Sequence, residues 1–275
     1  MTAVPKGSVG SRPEPALFDD EGVVVPAAPA PIIASLKDPH SPVGEELRLL
    51  RANLQAIRQK RPQRRPLTCV AVVSALPGEG KSTVSLGLAA ALAREPGQQI
   101  LLIEGDMRRP VLSSGLGLDP QPGLSEWLQG ELERVPLRLV DPGGFYFVGA
   151  GAASLERPED LGSSRMDALL RGARSRFDLV LIDATPILPV ADVVLLQELV
   201  DGFLLVVRSR VTPRNAIHEA LGRIRADMVV GIVLNDQREY RRSYMAYAYH
   251  GYDMHGGSGG RSPRTYGRHR REPDR

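Results

Sequence analysis

Four short stretches place chemically capable side chains directly after apolar runs. In SALPGEGKST, residues 74–83, Gly78 and Gly80 free the backbone to curl its N–H groups around phosphate oxygens, and a helix start behind them adds its positive dipole end. Lys81 is placed to reach β- and γ-phosphates and the Ser82 hydroxyl to bind Mg²⁺, with Glu79 and Thr83 completing the nucleotide loop. The full phosphate-loop pattern begins with glycine, where this chain has Ala75. In IEGDMRRP, Glu104, Asp106 and Arg108 follow the next apolar run, where a carboxylate either holds Mg²⁺ through water or accepts a proton from an attacking hydroxyl. In FDLVLIDATP, Asp183 fits a metal-proximal Walker-B carboxylate, while Asp192 reads equally as a helix cap. Asn235 ends the last apolar run and is a candidate for an adenine edge, or for a simple turn.

These residues need a scaffold that brings strand ends together. Six apolar runs read as buried strands: 67–75, 99–105, 145–150, 178–184, 202–208 and 228–235. Helical patterns lie between several of them, in STVSLGLAAALARE, SSRMDALLRGARS, ADVVLLQELV and RNAIHEALGRIR. The alternation predicts an α/β fold, a mostly parallel sheet flanked by helices on both faces, with its ligand beyond the carboxyl ends of the strands. Ahead of it, Val43, Leu47, Leu50, Leu54 and Ile57 recur at helical spacing, with Ser41 and Pro42 as cap and first turn. On that helix Glu45, Arg48 and Arg51 stand three apart on one broad face. Residues 1–36, rich in Pro, Ala and Gly, predict an arm without structure; 37–238 predict the folded domain and 239–275 a flexible tail.

Charge follows the same division. The chain of 275 residues carries a net +3, yet residues 238–275 hold nine arginines against four acidic residues, or +5, leaving the rest at −2. That tail also holds Tyr240, Tyr244, Tyr247, Tyr249 and Tyr252, five of the seven tyrosines of the chain. No apolar run approaches the ~20 residues of a membrane span, and the N-terminus lacks the pattern of a signal peptide. The single cysteine, Cys69, lies in an apolar run, where it reads as core filler, and it suits the cytoplasm. The five histidines show no metal-ligand spacing, and no Ser-His-Asp arrangement stands out.

Taken in this order, SPVGEELRLLRANLQ, SALPGEGKST, IEGDMRRP, FDLVLIDATP, GIVLN and the terminal tyrosine cluster resemble the bacterial tyrosine kinases of capsule and exopolysaccharide synthesis, over roughly residues 41–252. That family belongs to the P-loop class of the MinD and ParA ATPases. The resemblance implies an ATP-dependent protein-tyrosine autokinase. Lys81 and Ser82 match its phosphate and magnesium residues, Glu104 and Asp106 its paired Walker A′ acids, and Asp183 its Walker-B aspartate. Glu45, Arg48 and Arg51 match its E-x-x-R-x-x-R helix, which contributes to a ring oligomer in which one subunit's tail reaches the neighbour's active site. The five clustered tyrosines match its autophosphorylated tail. The family usually has Asp where Glu104 stands, which shifts weight toward Asp106. The resemblance is to the stand-alone cytoplasmic form, brought to the inner face of the plasma membrane by a separate activator of the chain-length-regulator type and reset by a tyrosine phosphatase.

The tail fits that reading physically. Gly- and polar-rich flanks keep a substrate tyrosine free to travel. Its phenol titrates near ~10, so transfer needs a carboxylate to take the proton, Asp106 or Glu104. Two rivals remain at this level. A MinD- or ParA-like ATPase would carry an extra lysine early in the loop, where this chain has Leu76. A non-catalytic nucleotide-binding scaffold stays open because Glu104 replaces the usual Asp. The arginine-rich end lacks a folded recognition motif, so no nucleic acid is expected as a partner.

Overall fold

A computed structural model of the chain describes residues 17–19, 23–26, 31–38, 40–63, 66–152, 158–190 and 192–237. Its framework is an eight-stranded sheet. The strands are β1 (Val23–Pro26), β2 (Cys69–Ser74), β3 (Ile100–Glu104), β4 (Arg138–Asp141), β5 (Phe145–Val148), β6 (Leu179–Asp183), β7 (Gly202–Arg208) and β8 (Val229–Asn235). They lie in the order β1-β4-β5-β3-β6-β2-β7-β8. The six strands from β5 to β8 in that order run the same way, and β4 pairs antiparallel with β5. The parallel region reads as continuous apolar sequence because both of its faces are covered: every residue of β2, β3 and β6 is buried.

Strand periodicity divides the core in two. Cys69, Ala71 and Val73 point into one apolar cluster, Val70 and Val72 into the other. The second cluster is roofed by α1 (Pro31–Ser35), α2 (Pro42–Lys60) and α3 (Lys81–Leu92). The first is roofed by α6 (Ser164–Arg176), α7 (Asp192–Leu196) and α8 (Arg214–Gly222). Two short helices, α4 (Leu112–Gly115) and α5 (Leu124–Leu128), follow β3. Among the described residues no helix is long and apolar enough to cross a membrane.

The Ser41 cap forms as its sequence dictates: its hydroxyl accepts from the Gly44 N–H at 3.2 Å, and Pro42 opens α2. Cys69 is fully buried, and burial pushes its thiol up to about 12, which leaves it inert at neutral pH. The arm expected to lack structure differs in part. Phe18 is buried edge-on to Phe177, Val23–Pro26 forms β1 beside β4, and Ile33 of α1 enters the core. Single apolar residues scattered among prolines and alanines gave no period to read, but each docks on a surface the domain already provides. β4 was likewise unforeseen, because four residues on a half-exposed strand show no apolar run. The helix read over 191–200 shortens to α7, Asp192–Leu196. By its contacts the chain divides after Asp236. The tyrosine cluster, Tyr240 to Tyr252, lies outside the described residues.

Candidate functional site

The C-terminal ends of β2, β3 and β6 converge on the N-terminus of α3. Gly80 closes the turn in the left-handed region, at φ 90°, and a Cβ there would stand 2.0 Å from the Asn235 amide nitrogen. Only glycine fits both demands. Gly78 also has positive φ, 78°. Behind them Lys81 begins α3 with its side chain folded inward. Its ammonium lies 2.8 Å from Asp106 Oδ2, 3.7 Å from Asp183 Oδ1 and 3.3 Å from Ser82 Oγ. Lys81, Asp106 and Asp183 are all buried, so the pairing is poorly screened by salt, and losing any one member leaves a buried charge uncompensated. Thr83 faces solvent and Ser82 is half-buried.

Asp183 is fully buried, and desolvation raises its carboxyl to about 6. Lys81 and the Ser82 hydroxyl pull it down, while Asp106 and Glu104 push it up. Ser85, one turn below Lys81, has its hydroxyl 2.9 Å from the Lys81 carbonyl and 3.2 Å from Asp183 Oδ1, and its one proton serves one of them at a time. Asp183 Oδ2 is buried with no partner among the described residues. A buried carboxylate oxygen left open beside an ammonium, at the mouth of a phosphate-type loop, fits a site completed by a cation and phosphate. Among the described residues no three His, Cys, Asp or Glu side chains form a ready metal cage.

Two sequence expectations change role here. Glu104 was grouped with the metal and base residues, but its carboxylate is turned away into backbone. Oε1 accepts from the Leu112 N–H at 2.5 Å. Oε2 accepts from the Ser113 hydroxyl at 2.6 Å and from the Ala150 N–H at 3.2 Å. The longer side chain reaches the amides that open α4, tying β3 to that turn and to the end of β5. Asn235, a candidate for adenine, instead donates from its amide to the Glu79 carbonyl at 2.9 Å. Glu79 itself points inward: Oε2 accepts from the Leu76 N–H at 2.9 Å and Oε1 from the Thr212 hydroxyl. Thus Glu79 and Asn235 brace the loop from within the protein.

Arg108 does not face the loop in this structure. Its guanidinium forks onto Asp192, 3.0 and 3.3 Å, fastening the segment after β3 to the first residue of α7. On α2, Arg48 pairs with Glu45 at 2.5 Å and Arg51 with Glu95 at 2.8 Å. The Glu45 side chain stays largely exposed. Sequence reading missed Ser85 and Thr212. Ser85 was the visible one of the two, a hydroxyl inside the otherwise apolar VSLGLAAAL.

The site has the layout of a nucleotide-handling loop, and comparison with known proteins narrows the lineage. No family model matches the chain. EpsB of Ralstonia solanacearum is 37% identical over 212 residues, 75% of this chain but 28% of that protein. The tyrosine-protein kinase YwqD of Bacillus subtilis is 29% identical over 80% of this chain and 91% of its own length. Among solved structures, the kinase domain of the Escherichia coli tyrosine kinase Etk superposes with a TM-score of 0.67 at 29% identity, covering 74% of this chain and 79% of that one. Over about three quarters of its length the chain is similar in sequence and fold to bacterial tyrosine kinases. It spans about a quarter of the length of the first curated relatives it matches, 28% and 27%. The mostly parallel α/β sheet expected from the alternating strands and helices is the one observed, and it superposes on that kinase domain.

Two measurements test this geometry. Glu104→Asp restores the acid usual in the family but retracts the carboxylate by a methylene. We expect a loss of about 1–3 kcal/mol in urea unfolding, as buried amides of α4 lose their acceptor. Unchanged stability would show that Glu104 is not an anchor. For Asp183, the folded state holds its proton more tightly than the unfolded chain. Its contribution to stability is therefore fullest below about pH 4 and is lost as pH rises through about 6. Asp183→Asn should gain on the wild type by on the order of 1 kcal/mol between about pH 5 and about pH 7. A stability difference that does not change with pH would contradict the buried-charge account.

Proposed function

We propose that this protein is an ATP-dependent protein-tyrosine autokinase that phosphorylates its own terminal tyrosines, Tyr240, Tyr244, Tyr247, Tyr249 and Tyr252, and so regulates exopolysaccharide or capsule synthesis or export. The observation that carries the reading is the Lys81 ammonium held between Asp106 and Asp183 at the start of α3. That arrangement parks the phosphate-binding cation against the carboxylates that release it when phosphate arrives.

In this reading the backbone from Gly78 to Thr83 cradles the ATP phosphates and Lys81 neutralises the β- and γ-oxygens. Ser82, Asp106 and Asp183 hold Mg²⁺, which when bound supplies charge neutralisation of the phosphate oxygens. A tyrosine oxygen attacks the γ-phosphorus, the bond to the β–γ bridging oxygen breaks, ADP leaves with that electron pair, and Asp106 takes the phenolic proton. Asp106 is preferred as base over Glu104 because its carboxylate lies on Lys81 at the loop, whereas that of Glu104 is turned onto α4 and Ala150.

Transfer is in trans within a ring whose subunits meet through the face of α2 bearing Glu45, Arg48 and Arg51. Each phosphate adds about −1.5 to −2 charges, so several overturn the +5 of the tail and drive ring opening or partner exchange. A membrane activator of the chain-length-regulator type recruits the protein to the inner face of the plasma membrane, and a tyrosine phosphatase resets it. A second reading, a nucleotide-binding scaffold without transfer, draws on the diversion of Glu104 from the Walker A′ pair.

The test is phosphosite mapping by mass spectrometry on dephosphorylated protein incubated with Mg-ATP, with and without cytoplasmic segments of candidate activators, beside Lys81→Met. Phosphate within Tyr240–Tyr252 in the wild type and none in Lys81→Met is expected. Nucleotide binding with no phosphotyrosine under any condition would favour the scaffold.

A further inference from the structure

Glu79 puts a carboxylate in the middle of the phosphate loop, between Gly78 and Gly80. The backbone of that loop is the cradle of the nucleotide phosphates, and a negative side chain carried on it opposes the ligand it serves. The structure resolves the conflict by turning the charge inward. Glu79 is 3% exposed. Its Oε2 accepts from the Leu76 N–H at 2.9 Å, and its Oε1 accepts from the Thr212 hydroxyl. The direction of that second bond is fixed, because Thr212 Oγ already accepts from the Arg208 N–H at 3.0 Å and its one proton goes to Glu79. Thr212 is itself held in the turn between β7 and α8, where its N–H donates to the Arg208 carbonyl at 3.0 Å. On the backbone side, the Asn235 amide donates to the Glu79 carbonyl at 2.9 Å. The Leu76 bond lies within the loop, whereas the Thr212 bond ties the carboxylate to a separate element.

We infer that Thr212 is a positioning residue for nucleotide binding: its hydroxyl latches the Glu79 carboxylate away from the phosphates. The inference rests on the nucleotide-site reading above and deepens it. A side chain carried on the cradle cannot retreat far from it. Without the latch, the carboxylate keeps one donor of two, and a buried charge that has lost a donor turns to water. The inner side of the loop is taken up by Leu76, Thr212 and Asn235, which leaves the mouth as the place where it finds water. There the carboxylate repels the phosphates that the loop is built to receive. The latch persists in the loaded protein, because none of its bonds uses the N–H groups from Gly78 to Thr83 that the cradle offers to phosphate.

The test separates a latch from a scaffold role by removing the charge that the latch restrains. Thr212→Val keeps the shape and loses the hydroxyl, Thr212→Ser keeps the hydroxyl, and Glu79→Gln keeps the side chain and loses its charge. Binding of Mg-ADP is measured by calorimetry on the intact chain for each, and for Thr212→Val combined with Glu79→Gln, at low and at high salt. Thr212→Val is expected to bind about tenfold more weakly than the wild type. That loss should shrink at high salt, which screens the repulsion. Thr212→Ser should bind like the wild type. In the Glu79→Gln background Thr212→Val should cost little, since no charge is left to restrain. Wild-type affinity in Thr212→Val would overturn the inference. So would a loss of the same size with Glu79→Gln in place, or a Thr212→Val protein that does not fold, since each assigns the hydroxyl to the scaffold instead. A wild type that binds Mg-ADP at neither salt concentration would overturn the nucleotide-site reading itself, and this inference with it.

Discussion

The Lys81 ammonium, buried between Asp106 and Asp183, is the constraint around which this fold is organised. An unpaired ammonium in such surroundings would cost several kcal/mol, and so would either carboxylate. The three must stay together, yet they come from α3, the segment after β3 and the end of β6. Only a sheet that places β3, β6 and β2 side by side, with α3 rising from β2, holds them at bonding distance. The apolar burial of those strands fixes the register, and the register pairs Glu104 with Asp183 across β3 and β6. What sits at the strand ends is then free to be chemistry rather than packing.

The same arrangement explains why two carboxylates paired across neighbouring strands behave differently. Neighbouring strands lie about 4.8 Å apart, so Glu104 and Asp183 could not both remain charged and open in one dry pocket without a large penalty. Glu104 escapes by turning into the amides of Leu112, Ser113 and Ala150, which act as its fixed donors. Asp183 keeps an open oxygen and tolerates it because Lys81 is near. On the far side of the loop, Glu79 and Asn235 perform a comparable service, binding the loop to the ends of β7 and β8 through Thr212 and Gly80's close approach.

The parallel core and the P-loop helix were legible in the sequence because continuous apolar runs and a glycine-rich turn are local signals. Lys81, Asp106 and Asp183 could be placed together by the rule that parallel strands present their carboxyl ends to one side. The destinations of Glu104 and Asn235 could not be read, because each depends on a partner from a distant segment: Ser113 and Ala150 for one, the carbonyl of Glu79 for the other. Phe18, β1 and β4 escaped for the opposite reason, being local elements too short to carry a period.

The central claim is that Lys81 exchanges its carboxylate partners for phosphate while Glu104 stays where it is. A crystal structure with Mg²⁺ and β,γ-imido-ATP tests this most directly. The account predicts Lys81 Nζ on phosphate oxygens and beyond salt-bridge range, about 4 Å, of Asp106. It also predicts Asp106 and Asp183 turned to the metal, and Glu104 still accepting from Leu112 and Ser113. Lys81 remaining on Asp106, or Glu104 swung out onto the metal, would contradict it.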